Sequence, residues 1–158
     1  MILAAAGLIA CGPPKYTIVQ RYDRERDVKA TRMRHNDIDS DVSIDGVKLE
    51  QAGAAWYGLR VYIVGSARFY PARLLMQIDG ELLDFGYGLQ LQLRERGDRH
   101  HEKYWHETTA ERLWQIAEAD SVKVILSNSR DEDIERAFKP ENIANFMDFC
   151  LKHVPPPK

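Results

Sequence analysis

Arg73-Leu74-Leu75-Met76-Gln77-Ile78-Asp79-Gly80-Glu81-Leu82-Leu83-Asp84-Phe85 is the stretch that decides the fold class. Leu74, Met76 and Ile78 alternate as they would on one face of an extended chain. Asp79-Gly80 supplies the positive φ that a two-residue turn demands, and Leu82, Leu83 and Phe85 return. A β-hairpin is predicted. Just beyond it Leu89, Leu91 and Leu93 alternate with Gln90, Gln92 and Arg94, which predicts a strand with one dry and one wet face. Connections this short cannot make a parallel crossover, so the strands are expected as an antiparallel meander.

Upstream, Tyr16 to Tyr22 is β-branched and aromatic and predicts a first strand. In Val42 to Leu49 the pair Asp45-Gly46 lies between short alternating flanks, which predicts a tight turn or a bulge. Trp56 to Val64 alternates with a half-apolar second face and is expected to be a central strand. Downstream, Arg94 to Glu107 is charged and His-rich and reads as a long loop or an extended hairpin tip. Thr108 and Glu111 fit a capping box opening a helix that carries Leu113, Ile116 and Ala117 inward. Val122 to Leu126 is another strand, and Asn128 to Asp133 a turn. Pro140 suits the first position of a closing helix, in which Ile143, Phe146, Met147, Cys150 and Leu151 form one apolar stripe. The order of elements gives an α+β fold, an antiparallel sheet with two helices, the second amphipathic, packed on one face.

The chain starts differently. An apolar run from Ile2 to Ala10 ends at Cys11 and gives way to Gly12-Pro13-Pro14-Lys15. The run is shorter than the ~20 residues a membrane-spanning helix needs, and Gly-Pro-Pro would stop a strand or helix there. The pattern is that of a secretory signal, and Leu8-Ile9-Ala10-Cys11 resembles the lipobox of bacterial lipoproteins. The resemblance implies a signal peptide over residues 1–10; Met1-Ile2-Leu3 departs from the pattern in lacking the usual basic start, which a start placed too late would explain. It further implies a diacylated Cys11, a tether over residues 11–15 and a bacterial envelope location. Gly12 after the cysteine implies the outer membrane in a Gram-negative organism. A single domain over residues 16–154 and a short tail over 155–158 follow, roughly 140 residues being enough for one core and too few for two.

The formal net charge of −2 gives no global case for nucleic acid or for an acidic substrate. Charge is uneven, however: Lys15, Arg21, Arg24, Arg26, Lys29, Arg32 and Arg34 crowd the anchor-proximal segment among Asp23, Glu25 and Asp27, and read as a solvated face. Cys150 sits in an apolar helical pattern and reads as a buried structural thiol with no disulfide partner.

Chemistry-bearing residues are sparse. His100, His101 and His106, with Glu102 and Glu107, are the concentration of metal-type ligands, although their spacing is not that of a catalytic zinc helix. Asp37, Asp39, Asp41 and Asp45 suggest a calcium loop, but Val42 and Lys48 occupy the positions that require Gly and Glu. Trp105, with Tyr104 beside it, is the candidate exposed anchor for a partner. Trp56, Tyr57, Tyr62, Phe69 and Tyr70 form an aromatic region that reads as core or cross-strand packing, with the lining of a pocket or an interaction groove as the alternative. The expectation is a non-catalytic envelope lipoprotein, anchored to the membrane by its lipid and binding an envelope protein or other component. No cofactor and no nucleic acid are called for. A hydrolase built on the His100–Glu107 segment and a small-molecule carrier are the alternatives.

Overall fold

A computed structural model describes residues 16–130 and 132–157, so the signal-like run, Cys11 and the tether lie outside the described residues. The described residues form ten strands and two helices: β1 (Thr17–Asp23), β2 (Val28–Arg34), β3 (Val42–Gln51), β4 (Ala54–Gly65), β5 (Arg73–Ile78), β6 (Glu81–Tyr87), β7 (Leu89–Arg96), β8 (Arg99–Thr108), α1 (Ala110–Ala117), β9 (Val122–Ser127), β10 (Asp133–Ala137) and α2 (Pro140–His153). The fold is broadly α+β and mostly antiparallel. It contains a curled six-stranded sheet in the order β1-β2-β3-β4-β8-β7 and a second, four-stranded sheet in the order β10-β9-β5-β6.

The hairpin that decides the fold class forms as read, with Asp79 and Gly80 at φ +49° and +91°. Its continuation does not. β7 leaves β6 and returns to the large sheet beside β8, so the meander breaks at Gly88 and the strands divide between two sheets. Gly88 permits the crossing, since a Cβ there would meet the His106 ring at 2.5 Å. One hydrophobic cluster joins everything: Ile44, Leu59 and Val61 of the large sheet, Leu74, Met76, Val124 and Leu126 of the small one, Leu113 and Ile116 of α1, and Phe146 and Phe149 of α2. Each such side chain contributes about 1.5–3 kcal/mol through burial.

Several local expectations are corrected by long-range packing. Asp45 and Gly46 do not turn the chain; β3 runs straight through them in register with β4, and the reversal comes at Ala52-Gly53, both at positive φ. Gly46 is required instead by close approach, because a Cβ there would sit 3.1–3.3 Å from Met33, Phe149 and Phe146. Of the two readings of Arg94–Glu107 the structure takes the hairpin and not the long loop: β7 and β8 pair as a ladder up to Gly97-Asp98, which alone are left for the turn. β2, a charged segment without apolar alternation, and the edge strand β10 went unrecognised.

The cap of α1 moves by one residue, and in α2, which opens at Pro140 as read, the most buried positions do. Thr109, not Thr108, caps α1, its side chain accepting from the Arg112 N–H at 3.3 Å, while Thr108 ends β8. In α2 the expected spacing holds one residue earlier: Asn142, Asn145, Phe146, Phe149 and Cys150 are buried, whereas Leu151 is 69 % exposed. Two asparagines thus join the inward face, where they bond Asn36 on the β2–β3 connection, while Ile143 and Met147 stay half-buried against the core. Cys150 is a buried free thiol, and burial pushes its pKa up to about 12.

Candidate functional site

Side chains opposite one another in an antiparallel ladder lie on the same face of the sheet. The register of the large sheet therefore shows which charges it gathers. Arg34 pairs with Thr17 and Arg32 with Val19, which puts Arg21 on that face too; Arg32 also pairs with Val47, two residues from Asp45. Asp45 pairs with Arg60, Tyr62 with Lys103, and Arg94 with His101, so one face collects cations from β1, β2, β4, β8 and β7. Because the sheet curls, they line a cleft of about 600 Å³, including Arg21, Arg32, Arg34, Arg60, Arg94 and Lys103. A smaller recess beside it adds Arg96, Gln92 and His101.

A bulge in β7 completes this wall. Gln90 pairs with Tyr104 and the next pair is Gln92 with Lys103, so Leu91 is an extra residue that reverses the alternation beyond it. In a regular strand Arg94 and Arg96 would share the inward face of Gln90; after the bulge they share the face of the cleft. The expected dry row is split by the same event. Leu89 and Leu91 are 67 % and 51 % exposed, and Gln90 instead points inward, donating to Glu102 at 3.1 Å and to Tyr104 Oη at 3.4 Å.

The electrostatics of the cleft are unbalanced. At its floor Asp45, 4 % exposed, accepts from Arg60 at 2.8 Å and from the Asn36 backbone N–H at 3.1 Å. Burial raises the Asp45 pKa against the opposing pull of Arg60. The other cations have no such relief: among the described residues, Arg21, Arg32, Arg34, Arg94, Arg96 and Lys103 have no carboxylate in ion-pair contact. On other surfaces Arg26, Arg73, Arg99, Arg130 and Arg136 each have one. Burial lowers the Arg32 pKa, and Arg60, Arg21 and Arg34 lower it further. Lys103 is lowered in the same way by burial and then by Arg60, Arg94, Arg34 and Arg32, which shows that both walls of the curled sheet repel it. Arg32 Nε is buried without a hydrogen-bond partner.

The residues singled out from sequence lie elsewhere or do not converge. His100 and His106 point to one side of β8 and His101 to the other. His100 and His106 are also six residues apart, about 20 Å along a strand. Among the described residues no group of three or more His, Cys, Asp or Glu side chains could hold a metal ion. His101 bonds the Tyr62 hydroxyl on the cleft side, and His100 Nδ1 lies 3.5 Å from Glu95. His106 is a core residue, 1 % exposed, facing the Phe85 and Gly86 carbonyls without closing a good hydrogen bond; burial lowers its pKa to about 4.

Tyr104 has no exposed surface to offer a partner: it is fully buried and donates to Glu102, which also accepts from the Phe69 N–H at 2.6 Å. Trp105 is half-buried and lies over Gly58, where any Cβ would fall inside its ring. The aromatic region disperses, Tyr57 and Phe69 entering the core and Tyr62 facing the cleft. Asp39 and Asp41 pair with Arg136 and Arg99, and Asp45 with Arg60, rather than converging on a cation.

The cleft itself went unnoticed in the sequence because the net charge of −2 averages it away. A signal was present in two of the three Arg-x-Arg pairs, Arg32-Met33-Arg34 and Arg94-Glu95-Arg96, which lie on strands and place two guanidinium groups on one face; the third, Arg24-Glu25-Arg26, falls in the β1–β2 turn. Comparison with protein-family models, curated proteins and solved structures finds no match for this chain.

Proposed function

We propose that this chain is a bacterial envelope lipoprotein, anchored to the membrane by acylated Cys11, whose non-catalytic domain binds an anionic envelope component in the basic cleft. The unpaired cations carry this reading. Guanidinium groups held close together without carboxylates repel one another, and an anion that enters removes that repulsion while gaining charge-assisted hydrogen bonds. The fold supports it. α2 rests on β3 at Gly46, whose ring contacts lie on the face opposite Asp45, and α1 packs against α2. In this reading both helices cover the inner face and leave the basic face open. Lipid at Cys11, five residues before Tyr16, would keep the cleft near the bilayer, at the outer membrane in a Gram-negative organism. Two or more acyl chains make such anchoring durable. No helix among the described residues is long and apolar enough to cross a membrane.

Two expected results test the two halves. Labelled palmitate should enter the chain in bacteria and be absent from Cys11→Ser; label retained by the variant removes the anchor. In thermal unfolding of the full chain carrying Cys11→Ser, sodium phosphate should raise Tm relative to sodium chloride of equal ionic strength. A ligand at a hundred times its Kd adds about 2.7 kcal/mol. Arg21→Gln/Arg34→Gln/Arg94→Gln/Arg96→Gln should lose most of the rise; an equal rise in that variant, or none in either protein, sinks the anionic reading.

A further inference from the structure

The unpaired cations of the cleft do not form one cluster. Arg21 and Arg34 stand on β1 and β2 at one rim, and Arg94 and Arg96 stand on β7 at the other. Between the rims lie the Arg60–Asp45 pair, bonded at 2.8 Å, and the Asp37 carboxylate. Two lobes of positive charge thus flank a floor that carries no excess of cations. β2 and β7 are separated by β3, β4 and β8, four strand spacings or about 19 Å along the sheet, and curling shortens the gap across the mouth.

Resting on the anionic reading above, we infer that the cleft takes an extended chain of phosphate groups which bridges the two arginine rims, rather than a single anion. Each rim offers two planar guanidinium forks, a geometry suited to phosphate oxygens. A lone phosphate can satisfy one rim and leaves the other repelling itself. A chain that reaches both makes its second contact intramolecularly, so its affinity exceeds that of either contact without any new kind of interaction.

Two other anionic surfaces fit less well. A flat bilayer cannot follow a concave, curled sheet to the cleft floor. Single-stranded nucleic acid needs free aromatic faces for its bases, and Tyr62 is occupied, its hydroxyl bonded to His101 and its ring facing Lys103 at 5.7 Å.

The test is calorimetric titration of the full chain carrying Cys11→Ser with orthophosphate, tripolyphosphate and long linear polyphosphate. Long polyphosphate is expected to bind at least about 100-fold more tightly than orthophosphate. Arg21→Gln/Arg34→Gln and Arg94→Gln/Arg96→Gln should each remove most of that advantage while changing orthophosphate affinity little, because the remaining rim still holds one phosphate. Each double variant should also flatten the dependence of log affinity on log salt by about 1.4 for the polymer. All four residues are exposed and without carboxylate partners among the described residues, so these variants should keep the wild-type Tm, which checks folding directly.

Orthophosphate matching the polymer, or either double variant leaving polymer affinity intact, would overturn the bridged chain. Oligothymidine binding more tightly than polyphosphate of equal charge would overturn it in favour of nucleic acid. Phosphatidylglycerol vesicles that displace the polymer at equal phosphate concentration would overturn it in favour of a membrane surface. If orthophosphate binds and the polymer gains nothing, only this inference falls; if no anion binds, the anionic reading falls with it.

Discussion

Asn36→Ala is expected to destabilise the fold by about 3 kcal/mol or more, the largest effect of any single polar substitution considered. Asn36 is fully buried on the β2–β3 connection. Its Nδ2 donates to the Ile44 carbonyl at 2.9 Å, and its Oδ1 accepts from both Asn142 Nδ2 and Asn145 Nδ2 at 3.0 Å. One side chain thus ties the large sheet to two successive turns of α2. Removing it breaks three hydrogen bonds, each worth about 0.5–1.5 kcal/mol net, and leaves buried groups unpaired at about 1–3 kcal/mol apiece. Asn142 keeps a bond to the Asp37 carbonyl at 3.1 Å, so Asn145 is the more severely orphaned. Adding Asn145→Leu to Asn36→Ala should therefore recover part of the loss, a non-additivity that a double-mutant cycle in urea measures. A single-variant cost below about 1 kcal/mol would mean that Asn36 does not hold α2 to the sheet.

The second large effect is a loss of stability in acid that belongs to His106. The folded protein keeps this imidazole neutral down to about pH 4, because burial between β8 and the β6–β7 crossing opposes its charge. The unfolded chain protonates it near pH 6.5. Between those values the unfolded state binds more protons, so stability is fully present above about pH 6.5 and falls as pH drops toward 4. At about 1.4 kcal/mol per unit, moving from pH 7 to 4.5 should cost roughly 2–3 kcal/mol through this residue alone. His106→Gln removes the titration and should shrink the acid-induced change by that amount. Other groups with displaced titration, such as Asp45 and His153, are common to both proteins and cancel in the difference. Parallel urea curves showing the same acid loss in both proteins would mean that His106 does not stay neutral in the core.

Strand geometry explains why the histidine-rich segment misleads as a ligand set. Three histidines within seven residues look like a cluster only while the segment is imagined as a loop. Once Arg99–Thr108 is a strand, alternation sends His101 to the cleft and His100 and His106 to the inner face. The same change of element buries Tyr104 and lays Trp105 over Gly58. Charged composition argues for a loop only where solvent is the one available partner. Here Glu102 finds the Phe69 N–H, Gln90 and Tyr104, and the strand becomes interior.

Short-range rules were sufficient where the cause is short-range. The Asp79-Gly80 hairpin, the strand from Trp56 to Val64, the helix opening at Pro140 and the burial of Cys150 follow from turn stereochemistry and apolar periodicity, both properties of neighbouring residues. Even Arg32-Met33-Arg34 and Arg94-Glu95-Arg96, read as strand segments, announce guanidinium groups sharing a face. What those residues could not reveal was which face, and beside what. The Leu91 bulge decides that Arg94 and Arg96 turn away from the core, and sheet order then brings them opposite Arg21 and Arg34 across the Arg60–Asp45 pair. A one-residue shift in register inverts every side chain that follows. Bulges and sheet order are set by the partner strand and by what packs on the other face, and so the cleft belongs to the tertiary structure alone.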